Sequence, residues 1–189
     1  MDPIWDESIE HLLSTIADEA SLRSKLHTKC YELYRRRNYI FSLPIIVLSS
    51  IAGSSNFVSG SLTNKLVERY LILGTGILSV TVAILSAIKE KLKLGQYEES
   101  HRSAIQSWNK LRNKITFCMQ LREEHRDDLG TFMQDVKTEY DRLFENSPTV
   151  GHKFVRALQR KIEREADDQL AVPHYLNGFS HFQPFAEDE

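Results

Sequence analysis

A chain of 189 residues, with 24 Lys and Arg against 26 Asp and Glu, has room for about one modest domain and carries a formal charge of −2. That length leaves little space for a separate catalytic domain, and that charge offers no basic face of the kind nucleic acid requires. Mean hydropathy is negative although residues 38 to 94 are strongly apolar, so the charge is concentrated in the flanks.

The N-terminus, Met1-Asp-Pro-Ile-Trp-Asp-Glu7, is acidic, and the first apolar stretch comes too late for a normal signal core, so an internal signal-anchor is expected in place of a cleaved leader. Residues 5–37 predict a helix. No Gly or Pro falls between Asp6 and Asn38, and Ile9, Leu12, Leu13, Ile16 and Ala20 recur at three-to-four spacing. Leu26, Cys30, Leu33 and Tyr34 continue the stripe, with Arg23 and His27 as interruptions. This helix is expected to run straight into the apolar stretch that follows.

Residues 38–58 and 70–88 are two stretches without charge, each long enough for the roughly 20 residues that cross a ~30 Å hydrocarbon core. A helix buried in a soluble bundle usually keeps a polar face, and Tyr70 to Ile88 has no charged residue on any face. Arg23, Lys25, Lys29, Arg35, Arg36 and Arg37 precede the first stretch, and Lys89, Lys91, Lys93 and Arg102 follow the second. The loop between them carries only Lys65 and Arg69, so the positive-inside rule places both termini in the cytoplasm. Arg35, Arg36, Arg37, Lys89, Lys91 and Lys93 then sit at the headgroups, where anionic lipid attracts each by about 1 kcal/mol.

Inside the first stretch Ser42, Ser49 and Asn56 are seven apart, with Gly53 and Gly60 on the same side; in the second, Thr75, Ser79, Ala83 and Ala87 are four apart. Small residues let helices approach closely and hydroxyls bond across the contact, which makes both rows candidates for helix packing. A polar intramembrane stripe equally suits a water-filled lumen, and without a ring of charge such a pore is weakly selective. Pro44 predicts a bend.

Residues 89–146 read as returning cytoplasmic helices. Ala104, Trp108, Leu111, Ile115 and Cys118 alternate by four and three, a coiled-coil-like seam in which Trp108, Leu111 and Ile115 are the expected assembly contacts. Gly95 either kinks this helix or weakens it. A second register follows at Leu129, Phe132, Met133, Val136, Tyr140, Leu143 and Phe144, and the intervening Asp127-Asp-Leu-Gly130 fits a turn or a shift of face. Asn146-Ser147-Pro148 stops the helix, because the residue before a proline avoids the α conformation. An accessory helix is expected over 152–169, with Phe154, Val155, Leu158 and Ile162 on one side, and 171–189 is expected to be a disordered tail or docking peptide bearing Phe179, Phe182 and Phe185. The fold class is therefore an all-α membrane protein, a two-span helical hairpin whose long helices extend into a cytoplasmic bundle, forming one domain over residues 1–170.

Chemistry is sparse. The histidines form no HxxxH or HExxH pair; His27 and His101 precede and follow the apolar stretches, where they are able to meet, though packing roles suit them better. No nucleophile motif or phosphate-binding glycine loop is present, so no enzyme, metal or cofactor is expected. Cys30 and Cys118 lack disulfide or zinc spacing and fit a reduced compartment.

The aromatic-capped helix from Trp5 to Tyr34, Asn38, the run Pro44-Ile-Ile-Val-Leu-Ser-Ser-Ile-Ala-Gly53, the hairpin, the segment Tyr97-Glu-Glu-Ser-His101 and the closing Tyr140-Asp-Arg-Leu-Phe-Glu-Asn-Ser147-Pro148 together resemble the SLATT family. These are two-span membrane effector domains found beside nucleotide-second-messenger modules in microbial defence systems and in large DNA viruses. The resemblance covers roughly residues 5 to 165. It implies a pore-forming or membrane-perturbing effector that oligomerises when triggered, without catalytic residues; no fused sensor or nucleotidyltransferase domain is expected within these 189 residues.

The expected function is an oligomeric two-span membrane protein that forms a pore or perturbs the bilayer, with cytoplasmic helices controlling assembly. Its partners are the lipid bilayer, further copies of itself, and a protein bound through the cytoplasmic helices or tail. The alternative is a non-enzymatic membrane anchor or scaffold, such as a viral membrane structural protein, that docks partners through its helical bundle.

Overall fold

Asp6 sets the start of the first helix. Its carboxylate accepts the Ser8 N–H at 3.2 Å and the Ser8 hydroxyl at 3.0 Å, and its carbonyl accepts the Glu10 N–H at 3.0 Å. Donors that a helix N-terminus leaves without intrahelical partners are thereby met. The computed structural model describes residues 5–59 and 64–165, with the side chains of 56–59, 159 and 161–165 outside that description. Among the described residues the regular elements are all helical.

Helix α1 (Glu7–Ser59) is a single run of 53 residues, about 80 Å at 1.5 Å per residue. It continues through Pro44, whose missing N–H removes one ladder bond without ending the helix. Helix α2 (Lys65–Lys91) is capped by Asn64, whose side chain accepts the Leu66 N–H at 3.0 Å. The break after it falls at Lys93, not at Gly95. Lys93 takes the left-handed conformation (φ 49°) while its N–H bonds the Glu90 carbonyl at 2.9 Å, and α3 (Leu94–Gln120) resumes at once with Gly95 inside it.

A short 3-10 turn at Glu123–His125 leads to α4 (Leu129–Asn146). Asp128 caps α4 by accepting both the N–H and the hydroxyl of Thr131 at 2.9 Å, so the connection ends at Asp127 and Asp128 while Leu129 and Gly130 already belong to the first turn of α4. Ser147 closes α4 through its N–H to the Leu143 carbonyl at 3.0 Å, just before Pro148. Helix α5 spans His152–Glu165. The tail aromatics Phe179, Phe182 and Phe185, with the rest of 171–189, lie outside the described residues.

The chain divides into two compact units, one of Met1–Cys30 with Ile105–Glu189 and one of Tyr31–Ala104. The first has an ordinary hydrophobic core: Leu13, Ala20, Leu26 and Cys30 from α1, Trp108, Leu111, Ile115 and Cys118 from α3, and Leu129, Phe132, Val136 and Leu143 from α4 are all buried. Each large side chain so covered contributes about 1.5–3 kcal/mol. Arg23 and His27 do not interrupt the α1 stripe. His27 is buried, and the Arg23 guanidinium lies 5.2 Å from the Trp108 ring and 4.9 Å from the Phe144 ring.

The second unit is built differently. Among its described residues the buried ones are Ala52, Thr75, Leu94, His101 and Ala104, all small or polar except Leu94. The large apolar side chains of the same stretch point outward, including Ile40, Leu43, Ile46, Leu73, Ile77, Val80 and Ile84.

Candidate functional site: the two apolar helices

Among the described residues two helices are long and apolar enough to cross a membrane, one the N-terminal helix and the other the run containing α2. In each, only 6% of the most apolar window is buried within the protein. A helix of equal hydropathy in a soluble core would be mostly covered, so the exposure of these side chains is the property that needs a physical partner.

The covered side of each helix is narrow. In α1 it follows Asn38, Phe41, Ile45, Leu48, Ala52 and Ser55, and in α2 Leu71, Thr75, Leu78, Val82 and Leu85, each row stepping by three or four. Ile45 shares a groove of about 370 Å³ with Ser86 and Lys89, and Ile51 and Ser55 share another of about 370 Å³ with Leu71.

The small and polar rows read from sequence fall mostly beside these covered strips. Ser42 is half-buried, its hydroxyl donating to Asn38 Oδ1 at 3.3 Å. Ser49 and Gly53 are exposed, and a Cβ added at Gly53 would meet nothing within 4 Å. Asn56 lies on α1, but its side chain is outside the described residues. In α2, Thr75 is buried whereas Ser79, Ala83 and Ala87 are exposed. Spacing by four drifts around a helix of 3.6 residues per turn, which carries the row off the covered strip after Thr75.

Hydroxyls here are largely bonded to their own helix. Ser50, Ser54 and Ser55 donate to the carbonyls of Ile46, Ser50 and Ile51 at 2.8–2.9 Å, and Thr75 and Thr81 to those of Leu71 and Ile77 at 2.8 and 2.9 Å. This lets a polar side chain sit in an apolar surface without an unmet donor.

The ends of the apolar segment carry charge. Arg35, Arg36, Arg37, Lys91 and Lys93 are exposed and Lys89 is half-buried. Beside the basic residues midway along α1, segments distant in sequence form a polar and aromatic clamp. Asn38 Nδ2 donates to Glu98 Oε2 at 2.8 Å, and the Tyr34 ring stacks on Tyr97 at 5.2 Å and on His101 at 5.5 Å. Burial pulls the His101 pKa below its ordinary value, favouring the neutral imidazole. The spacing of 60 residues between Asn38 and Glu98 hid this pairing from sequence reading.

Trp108, Leu111 and Ile115 are not a surface for assembly. Each is fully buried in the chain's own core, and the Trp108 indole N–H donates to Ser147 Oγ at 2.9 Å. Their heptad-like spacing reflects packing against α1 and α4 within the first unit. In that unit sequence reading also missed a polar network. The Arg23 guanidinium pairs with Glu19 at 2.5 Å, and Tyr140 donates to the same Glu19 oxygen at 2.8 Å. Among the described residues no group of three or more His, Cys, Asp or Glu is placed to hold a metal ion.

Comparison with protein-family models, with curated proteins and with solved structures finds no match to this chain.

Proposed function

We propose that the chain is an oligomeric two-span membrane protein, of the pore-forming or membrane-perturbing kind, whose apolar helices pair as a hairpin with both termini on the cytoplasmic side. The observation that carries this reading is the 6% burial of each apolar window, which leaves large aliphatic side chains facing outward along both helices. In water that surface would drive aggregation; in a bilayer it costs nothing. The two grooves that join Ile45 to Ser86 and Ile51 to Leu71 support an antiparallel pairing. Basic residues at the outer ends of the two segments support the orientation.

Exposure of Ser49, Gly53, Ser79 and Ala83 supports oligomerisation, since small and hydroxylated faces in lipid are typical helix contacts. Resemblance to the SLATT family supports a membrane-perturbing outcome. Purified protein reconstituted in liposomes should release an entrapped dye, and should run as an oligomer in mild detergent. Ser49→Leu should lower release while leaving membrane insertion intact. Tight vesicles at high protein density, or a monomer in detergent, would overturn the effector reading.

Exposed Phe117 and Phe144 on the first unit favour a second reading, a membrane anchor that docks a protein through its helical bundle. It predicts a stable co-purifying partner, lost on Phe117→Ser, with no dye release.

A further inference from the structure

A groove of about 670 Å³ lies along one face of α1, from Glu32 at one end to Pro44 at the other. Its lining changes character along its length. Ile40 and Leu43, 59% and 58% exposed, form an apolar wall together with Pro44. One to two turns earlier, Arg35 and Arg36 stand at the basic end, and Glu32 closes it. The Arg35 guanidinium is held between two rings, 5.9 Å from the Tyr31 centroid and 5.7 Å from that of Tyr39. The planar guanidinium offers a fork of donors that matches phosphate oxygens.

We propose that this groove binds one anionic glycerophospholipid, its phosphate between Arg35 and Arg36 and an acyl chain along Ile40, Leu43 and Pro44. The proposal rests on the membrane reading above. Three features select this occupant. The basic end and the apolar wall lie in the order of a headgroup and its chain, as seen from the cytoplasmic leaflet. The apolar wall is continuous with the outward-facing aliphatic side chains of Ile46 and Val47, so a chain lying there stays within hydrocarbon. Arg35 and Arg36 outnumber the Glu32 carboxylate one turn away, so the basic end keeps a net positive charge that favours anionic phosphatidylglycerol over zwitterionic phosphatidylcholine.

The test uses the full chain in mild detergent, stripped of lipid and titrated with phosphatidylglycerol or phosphatidylcholine, with retained lipid counted by native mass spectrometry. One phosphatidylglycerol should be held in preference to phosphatidylcholine. Arg35→Gln with Arg36→Gln should weaken that retention about thirtyfold, two charges' worth of headgroup attraction. Lys110→Gln with Arg112→Gln, which removes equal charge from α3, should leave it unchanged. Leu43→Trp fills the apolar wall without touching the charges and should also reduce retention, so the outcome does not hang on the folding of one variant. Equal retention of both lipids, or wild-type retention by the double Arg variant, overturns the site. Release of the chain from membranes by alkaline carbonate would remove the membrane reading and the lipid site together, whereas carbonate-resistant protein without lipid preference removes the site alone.

Discussion

Tyr140 donates its hydroxyl to Glu19 Oε1 at 2.8 Å, joining positions 121 residues apart in the chain. Arg23 holds the same carboxylate from one turn further along α1, and the Tyr140 ring meets Trp108 edge-on at 5.7 Å. A tyrosine, a carboxylate and an arginine thus share one partly buried site that ties α4 to the N-terminal part of α1.

Burial, with the Glu19 charge beside it, pushes the Tyr140 pKa up to about 12 from an ordinary value of 10.0. Because the folded value is the higher, the stabilisation is complete below about pH 10 and is lost as pH rises toward about 12. Tyr140→Phe should therefore cost about 1–2 kcal/mol at neutral pH, through a buried hydrogen bond to a charged acceptor. It should also flatten the alkaline fall in stability, measured as thermal unfolding by circular dichroism across pH 8–12. An alkaline fall of the same steepness in the variant would show that another group is responsible.

Arg126 is the joint of the first unit, its side chain 8% exposed. Its guanidinium pairs with Glu10 at 2.5 Å, donates to the Leu121 and Met119 carbonyls at 3.0 and 3.4 Å, and lies 4.8 Å from the Trp5 ring. Arg126→Met strands the two carbonyls at the end of α3 as well as the carboxylate, and should cost about 3 kcal/mol. Glu10→Gln keeps the carbonyl contacts and should cost about 1 kcal/mol or less. Thermal melts that rank the two variants the other way would contradict this assignment.

Lys93 adopts the left-handed conformation that a glycine takes without strain. Lys93→Gly should stabilise the fold by about 1 kcal/mol. Gly95 sits within α3, and a Cβ there meets nothing within 4 Å, so Gly95→Ala should also stabilise by about 1 kcal/mol. If Gly95→Ala destabilises instead, the break lies at Gly95. Melting temperatures of the two variants decide it.

Cys30 and Cys118 are buried, and burial pushes both thiols above their ordinary pKa. Both should label slowly with a maleimide while the chain is folded and rapidly once it is denatured, whereas a cysteine placed at exposed Arg112 should label at once. Fast labelling of the native protein would mean that the first unit opens readily.

The helical character, both apolar stretches and the core positions of α3 and α4 were legible from residue spacing alone. Leu129, Phe132, Val136 and Leu143 are buried as their register implies. Spacing fails where a polar residue occupies a core position: Arg23 and His27 look like breaks in a stripe, yet His27 is buried and Arg23 packs against the rings of Trp108 and Phe144, distant in sequence. It fails again where backbone conformation is chosen against residue type, as at Lys93 two positions before a glycine. It also cannot tell a seam filled by the same chain from one left open for another, which is why Trp108, Leu111 and Ile115 read as assembly contacts. The small-residue row of α2 illustrates a further limit, since a repeat of four follows one face for only about two turns.

The serines and threonines of the apolar stretch carry a further consequence. Ser50, Ser54, Ser55, Thr75 and Thr81 each bring an acceptor with them, the carbonyl one turn back on the same helix. Such a helix is self-sufficient in hydrogen bonding, so any of these faces can turn toward hydrocarbon, toward another helix or toward water without stranding a donor. Were such a helix placed in an apolar medium, these hydroxyls would need no neighbouring helix to satisfy them.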